Sequence, residues 1–264
     1  MSGVSLIVYL VNFPWDFALI FAALAILIPW RGAARVRSLL ARPRISSVDR
    51  LAIYASTIAF QWFLTGFVAW RCFARGFTLE ELALNLHSSA RTAMVAAGIV
   101  AVLGVLQYVG IRRTAALPAN SNSRLRQISL MLMPSSLIEA LVFAALAITA
   151  SLCEEFLYRG FVYAVLDRGT HSFALALVGS SLMFSIAHLY QGRRGLISTF
   201  VLGLIFAASR LWVGNLVPAV AGHLAVDLMA GYLGPRYLKK NTQDQPSGEQ
   251  DVAAEDSESS VRKV

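Results

Sequence analysis

The chain has 264 residues, of which 57% are hydrophobic and only 14% charged, and its mean hydropathy is +0.62. Soluble domains average about 25% charged residues, so this sequence lacks the polar surface to face water on all sides. Two cysteines, 18 glycines and 8 prolines exclude a disulfide-stapled module, a collagen and a low-complexity chain. The net charge of +8 invites a nucleic-acid partner, but its distribution argues otherwise. Residues 241–264 carry a net −4, so the body carries +12, mostly arginine beside apolar runs. That pattern belongs to membrane orientation, not to a nucleic-acid face.

A spanning helix needs ~20 mainly apolar residues, and seven segments approach this: 4–30, 51–71, 92–111, 135–166, 172–190, 196–213 and 215–234. The expected fold is an all-α polytopic membrane protein of about seven transmembrane helices, with a motif-bearing core in the last four. No Lys or Arg precedes the first run and no small-residue cleavage site separates it from Arg31, so it reads as a span and not a signal peptide. Asn12, Pro14 and Asp16 interrupt its first half, which moves the start of the crossing toward Phe13. Asp16 is expected at the membrane interface, with a buried functional role as the alternative. Residues 76–90, with Glu80, Glu81 and His87, read as a short amphipathic piece.

The fourth run is too long for one crossing, since 32 residues at ~1.5 Å each extend about 48 Å. A surface or tilted helix is expected from Ser135 and a crossing from Ala147. Arg210 is placed near a span end and is expected to snorkel, and Glu139 to sit at the interface. Cys72 and Cys153 lie at different depths, which argues against a disulfide. The tail from Asn241 is polar and acidic without aromatics, so it is expected to be disordered. The chain thus divides into a three-span region (1–128), a membrane core (129–240) and an acidic tail (241–264).

Orientation follows from the Lys and Arg between spans. Seventeen fall on one side, six of them between Arg31 and Arg50, and four on the other: Arg71, Arg75, Arg91 and Arg168. The N-terminus is therefore expected outside and the C-terminus in the cytoplasm.

Ionisable groups inside a span cost ~2.5–3.5 kcal/mol each, so those in the last four spans need partners. Glu155 and Arg159 are four apart with the acid first, the favourable order for a helical ion pair. Glu154 is turned about 100° from Glu155 and is left available. Phe184 precedes His188 by one turn on the next span, and His223 precedes Asp227 by one turn on the last. Counted from the cytoplasmic span ends, Glu154 and Asp227 lie about 10 Å deep and His188 about 3 Å. This shared depth argues for one polar cavity open to the cytoplasmic half of the bilayer. Structural glue between helices is the alternative.

The ordered series Glu154-Glu155-x-x-x-Arg159-Gly160, Phe184-x-x-x-His188 and His223-x-x-x-Asp227 resembles the CPBP family, the CAAX proteases and bacteriocin-processing enzymes also called Abi. The resemblance covers about 149–231; it departs at Asp227, where the prenyl-endopeptidase branch has Asn. It implies an intramembrane endopeptidase acting on a peptide or membrane-protein substrate. Glu154 with His188 would activate a water and His223 would donate to the oxyanion. Asp227 would either be protonated and donate, or orient His223, and Glu155 with Arg159 and Phe184 would support the site. A zinc held by Glu154, His188 and His223 is the family's other implied mechanism; the metal-free one is preferred here, since no His-Glu-x-x-His occurs. Two other classes use the same residues: a proton or ion transporter, and a non-catalytic scaffold or immunity relative.

Overall fold

The computed structural model describes residues 13–42, 44–85, 89–116 and 124–243. Residues 4–12 of the first predicted span, His87 and the tail beyond 243 lie outside these. Among the described residues every regular element is helical. In chain order they are α1 (Trp15–Leu40), α2 (Ser47–Ala74), α3 (Ala90–Ala115), α4 (Arg124–Leu132), α5 (Leu137–Thr170), α6 (Phe173–Ala187), α7 (Gly192–Val213) and α8 (Val217–Gln243). Six are long and apolar enough to cross a membrane, and α6 is a shorter apolar helix of 15 residues. This is a multi-pass integral membrane protein, with the expected all-α fold and close to the expected number of spans.

Serines start four of these helices. Ser46, Ser89, Ser136 and Ser172 each accept a hydrogen bond from the backbone N–H three residues on, which satisfies one orphan donor of the first turn. Gly214 ends α7 at φ +76°, a left-handed cap that glycine adopts without a Cβ clash.

The helices differ in how much of their apolar surface the protein covers. Some 33% of the most apolar stretch of α5, α7 and α8 is buried, against 11% in α2 and α3. The first group forms the centre, and the second lies at the periphery with Phe63, Val105 and other large side chains facing outward. Such a surface suits a hydrocarbon solvent, in which a helix satisfies its own backbone. α3 lies along α8, α2 along the first half of α5, and α6 against both α7 and the second half of α5. Two glycines of α8 permit the close crossings: a Cβ at Gly222 would meet Ile99 at 2.5 Å, and one at Gly231 would meet Phe143 at 2.1 Å.

Several expectations are corrected. α1 does not stop before Arg31 but continues to Leu40. α5 is one helix over 34 residues, without the break expected between a surface piece and a crossing. A separate helix, α4, precedes it. Residues 241–243, placed in the tail, continue α8. Cys72 and Cys153 are both free and buried, as expected. Asp16 is 5% exposed and clamped by Arg71 Nη2 at 2.7 Å and Arg75 Nη2 at 2.8 Å, which ties α1 to the end of α2. Arg210 does not snorkel: it donates to the Glu81 carbonyl at 2.6 Å and lies over the Tyr163 ring at 3.9 Å.

Glu139 is likewise buried, with Arg50 Nη1 at 2.6 Å and the Ser135 N–H and hydroxyl on the same carboxylate oxygen. Arg50 also donates to the Met131 carbonyl, so the pair joins α2 to the end of α4 and the start of α5. Residues 76–85 form turns and no amphipathic helix, with Leu82 and Ala83 fully packed into the bundle. Their register is held by Arg168, which donates to Glu81 at 2.9 Å and lies over Phe77 at 3.6 Å. Burial pushes the Glu81 carboxyl up, but hydrogen bonds from Arg168 and Thr78 outweigh it and hold the group below its ordinary 4.5.

Two outcomes follow. Glu139→Ala strands the Arg50 charge and lowers stability by about 3–5 kcal/mol, while Arg50→Met with Glu139→Leu recovers most of it; thermal unfolding of the three proteins in detergent measures this. The Glu81 clamp is present above the ordinary carboxylate value and is lost as pH falls below 4.5 through the depressed one. Hydrogen exchange in residues 77–85, corrected for intrinsic rates, should therefore rise relative to the bundle on the acid side and stay flat between pH 6 and pH 8.

Candidate active site

Midway along α5 the sequence places Glu154 and Glu155 at the end of α-helical winding. The next seven residues, Phe156–Val162, are wound as a π-helix. Single π turns inside α-helices occur often at functional sites. All seven side chains here are buried, including Arg159, which is 0% exposed.

Arg159 and Glu155 form the expected ion pair, with Nη1 donating to Oε1 at 3.0 Å and both groups fully enclosed. The same oxygen also accepts from His223 Nδ1 at 2.8 Å, a contact across from α8. Two aromatic rings close around the guanidinium, Phe184 of α6 at 4.2 Å and Phe206 of α7 at 5.3 Å. Phe206 in turn stacks on the His223 ring with an interplanar angle of 12°. The close α6–α7 crossing depends on Gly203, where a Cβ would sit 3.0 Å from Ser181 and 3.3 Å from Arg159 Nη2. A charge buried this deeply needs every one of these contacts, since a stranded one costs several kcal/mol.

Glu154 faces the other way. Its side chain is 19% exposed, and its Oε2 stands 3.8 Å from His188 Nε2, beyond direct hydrogen-bond range. His188 sits just past the end of α6, and its Nδ1 lies 2.9 Å from the Phe184 carbonyl. A carbonyl only accepts, so Nδ1 carries the proton, and in the neutral ring Nε2 is left as an acceptor toward Glu154. Asp227 Oδ2 lies 3.6 Å from His223 Nε2 and its side chain is 33% exposed. Glu154 and Glu155 are both within charge–charge range of His223, as are Glu154 and His188 of Asp227. The six titratable groups singled out in the sequence, with Phe184, therefore surround one region between α5, α6 and α8.

One pairing inside that region was not anticipated from the sequence. Glu155 accepts from His223 Nδ1, so one carboxylate serves both Arg159 and the imidazole. The sequence expectation also missed Gln61 of α2, whose Nε2 donates to Glu154 Oε1 at 2.7 Å. An amide in the middle of an apolar span is the only signal that pointed to it. Glu139 and Arg210 stay outside the group, as expected. The residues do not close into a metal site: among the described residues no three of His, Cys, Asp or Glu gather to hold an ion.

No curated protein and no solved structure matches the chain. Residues 134–229, a segment holding all three motifs, match the family model described as Type II CAAX prenyl endopeptidase Rce1-like. That match bears out the resemblance drawn from the motifs: over this segment the chain is similar to the CAAX-protease family.

Proposed function

We propose that this protein is an intramembrane endopeptidase that hydrolyses a peptide bond with a water activated by Glu154 and His188. The observation that carries this is the facing of Glu154 Oε2 and His188 Nε2 across 3.8 Å, in a family segment of peptidases. Both atoms are acceptors, so one water donating to each spans the gap with its lone pairs free. As the water oxygen adds to the scissile carbonyl, Glu154 takes one proton and the carbonyl electrons move onto its oxygen. His223 donates to that oxyanion from Nε2. With Nδ1 already donating to Glu155, this requires the imidazolium, whose charge Glu155 and Asp227 flank. Glu154 then returns its proton to the leaving amine as the tetrahedral carbon collapses, leaving one new carboxyl and one new amine.

In this reading Glu155 and Arg159 do no chemistry. They fix the imidazole angle from a site that solvent does not reach. Asp227 is not needed to orient His223, and an Asn at this position would present an amide donor to the same oxyanion. In this reading the site is reached from the end of the bundle where Arg193 and Arg194 follow His188, the side on which the arginine distribution favours the cytoplasm. The substrate is a peptide or the end of a membrane protein reaching Glu154 from that side. Residues 129–240 act as the catalytic core.

Fluorogenic peptides ending in a Cys-aliphatic-aliphatic-x motif, with and without a farnesyl group, test this on the purified full chain in proteoliposomes. Wild type cleaves, while Glu154→Gln and His188→Ala each lose about 10²–10⁴-fold in rate at unchanged thermal stability. Wild-type cleavage by Glu154→Gln would remove the proposed base. Asp227→Asn stays within about tenfold of wild type, because the amide donor to the oxyanion offsets the carboxylate lost beside His223, and Asp227→Leu, which supplies neither, loses about 10²-fold or more.

A further inference from the structure

The N-terminal helices outside the family segment supply one polar group to the site. Gln61 lies in the middle of α2, a helix whose outward face is apolar and whose inner face packs along the first half of α5. Its Nε2 donates to Glu154 Oε1 at 2.7 Å. The orientation of the amide is forced, because a carboxylate offers only acceptors and the nitrogen must face it. One carboxylate oxygen is therefore taken, and the second, Oε2, is the one turned toward His188 Nε2.

The free atoms of the pair are informative too. Gln61 Oε1 and Glu154 Oε2 are both buried with no donor from the described protein. An amide placed only to join two helices would be satisfied at both ends, as buried polar groups nearly always are. Here each partner keeps an acceptor free for a donor such as water, as Glu155 Oε2 also does nearby. The neighbouring Trp62 makes the contrast: its Nε1 donates to Thr149 at 3.2 Å, an ordinary interhelical contact away from the carboxylates.

We propose that Gln61 is the positioning residue for Glu154, holding one carboxylate oxygen so that the other addresses the attacking water beside His188. The proposal rests on the peptidase reading for its kinetic consequence, but the contact itself is measurable without turnover. Gln61 restricts Glu154 to one rotamer and one oxygen, so the productive geometry exists before substrate arrives. Gln61→Glu keeps the side-chain volume and removes the donor when ionised; Gln61→Leu removes both polar atoms.

The test compares wild type, Gln61→Leu, Gln61→Glu and Trp62→Phe as full chains in proteoliposomes with the fluorogenic peptides. Both Gln61 variants lose about 10- to 100-fold in kcat with KM within about twofold, since the group lost orients the base and not the substrate. Trp62→Phe stays within about twofold in both, which separates positioning from general damage to α2. In parallel, the infrared difference between wild type and Glu154→Gln locates the Glu154 carboxylate band, and Gln61→Leu shifts it. Wild-type kcat in Gln61→Leu, a KM effect without a kcat effect, or an unmoved Glu154 band overturns the proposal. Cleavage by Glu154→Gln instead overturns the peptidase mechanism, and the infrared band then decides alone whether Gln61 positions Glu154.

Discussion

Holding Glu155, Arg159 and His223 together out of water is the constraint around which the bundle is arranged. A guanidinium with no exposure in a membrane protein survives only where its charge is balanced and its faces are covered. Glu155 Oε1 balances it, and the same atom accepts from His223. Phe184 and Phe206 cover the two faces. These contacts come from α5, α6, α7 and α8, so one cation draws four helices to a common point. The small residue at Gly203 lets the rings and the charge approach so closely. Displacing any of the four leaves a bare charge in an apolar interior.

That rigid knot sets the character of its neighbour. Glu154 is next in sequence to Glu155, yet about 100° around the helix. One carboxylate is sealed, with Oε1 held by Arg159 and His223, while the other has 19% of its side chain open and one oxygen facing an imidazole acceptor. The helix separates a structural acid from a reactive one by a single residue. The polar contacts toward the two ends of α2, Asp16 with Arg71 and Arg75, and Glu139 with Arg50, follow the same rule of balanced burial.

What could be read from the sequence was what is costly in a membrane. Glu154, Glu155, Arg159, His188, His223 and Asp227 stand out because an ionisable residue in an apolar run demands an explanation, and their order along the chain names a family segment. Gln61 stood out less, because an uncharged amide in a span carries a smaller penalty and helical periodicity says nothing of which helix it meets. Arg210 was placed correctly in its span but assigned to the surface; its partners are a backbone carbonyl and a tyrosine ring, and neither leaves a charge pattern. The segment 76–85 was misjudged because Leu82 and Ala83 are inserted by turn geometry, with Ala83 at φ +53°, and not by any repeat. The helix ends were least legible, since α1 runs on through arginines that suit an interfacial turn of helix as well as a loop.

The π-wound stretch of α5 has a consequence for how the chain tolerates change. Wider turns between Phe156 and Val162 leave the two halves of α5 out of phase with each other. The first half carries the two acids at its end, while the second half begins with Tyr163, Ala164 and Val165, all buried. Inserting one residue just after this stretch would turn the second half by about 100° as a block. Hydrophobic composition would be intact and the motif letters nearly so, yet the facing surfaces would no longer mesh. Spacing, more than residue identity, is what this stretch of the molecule encodes.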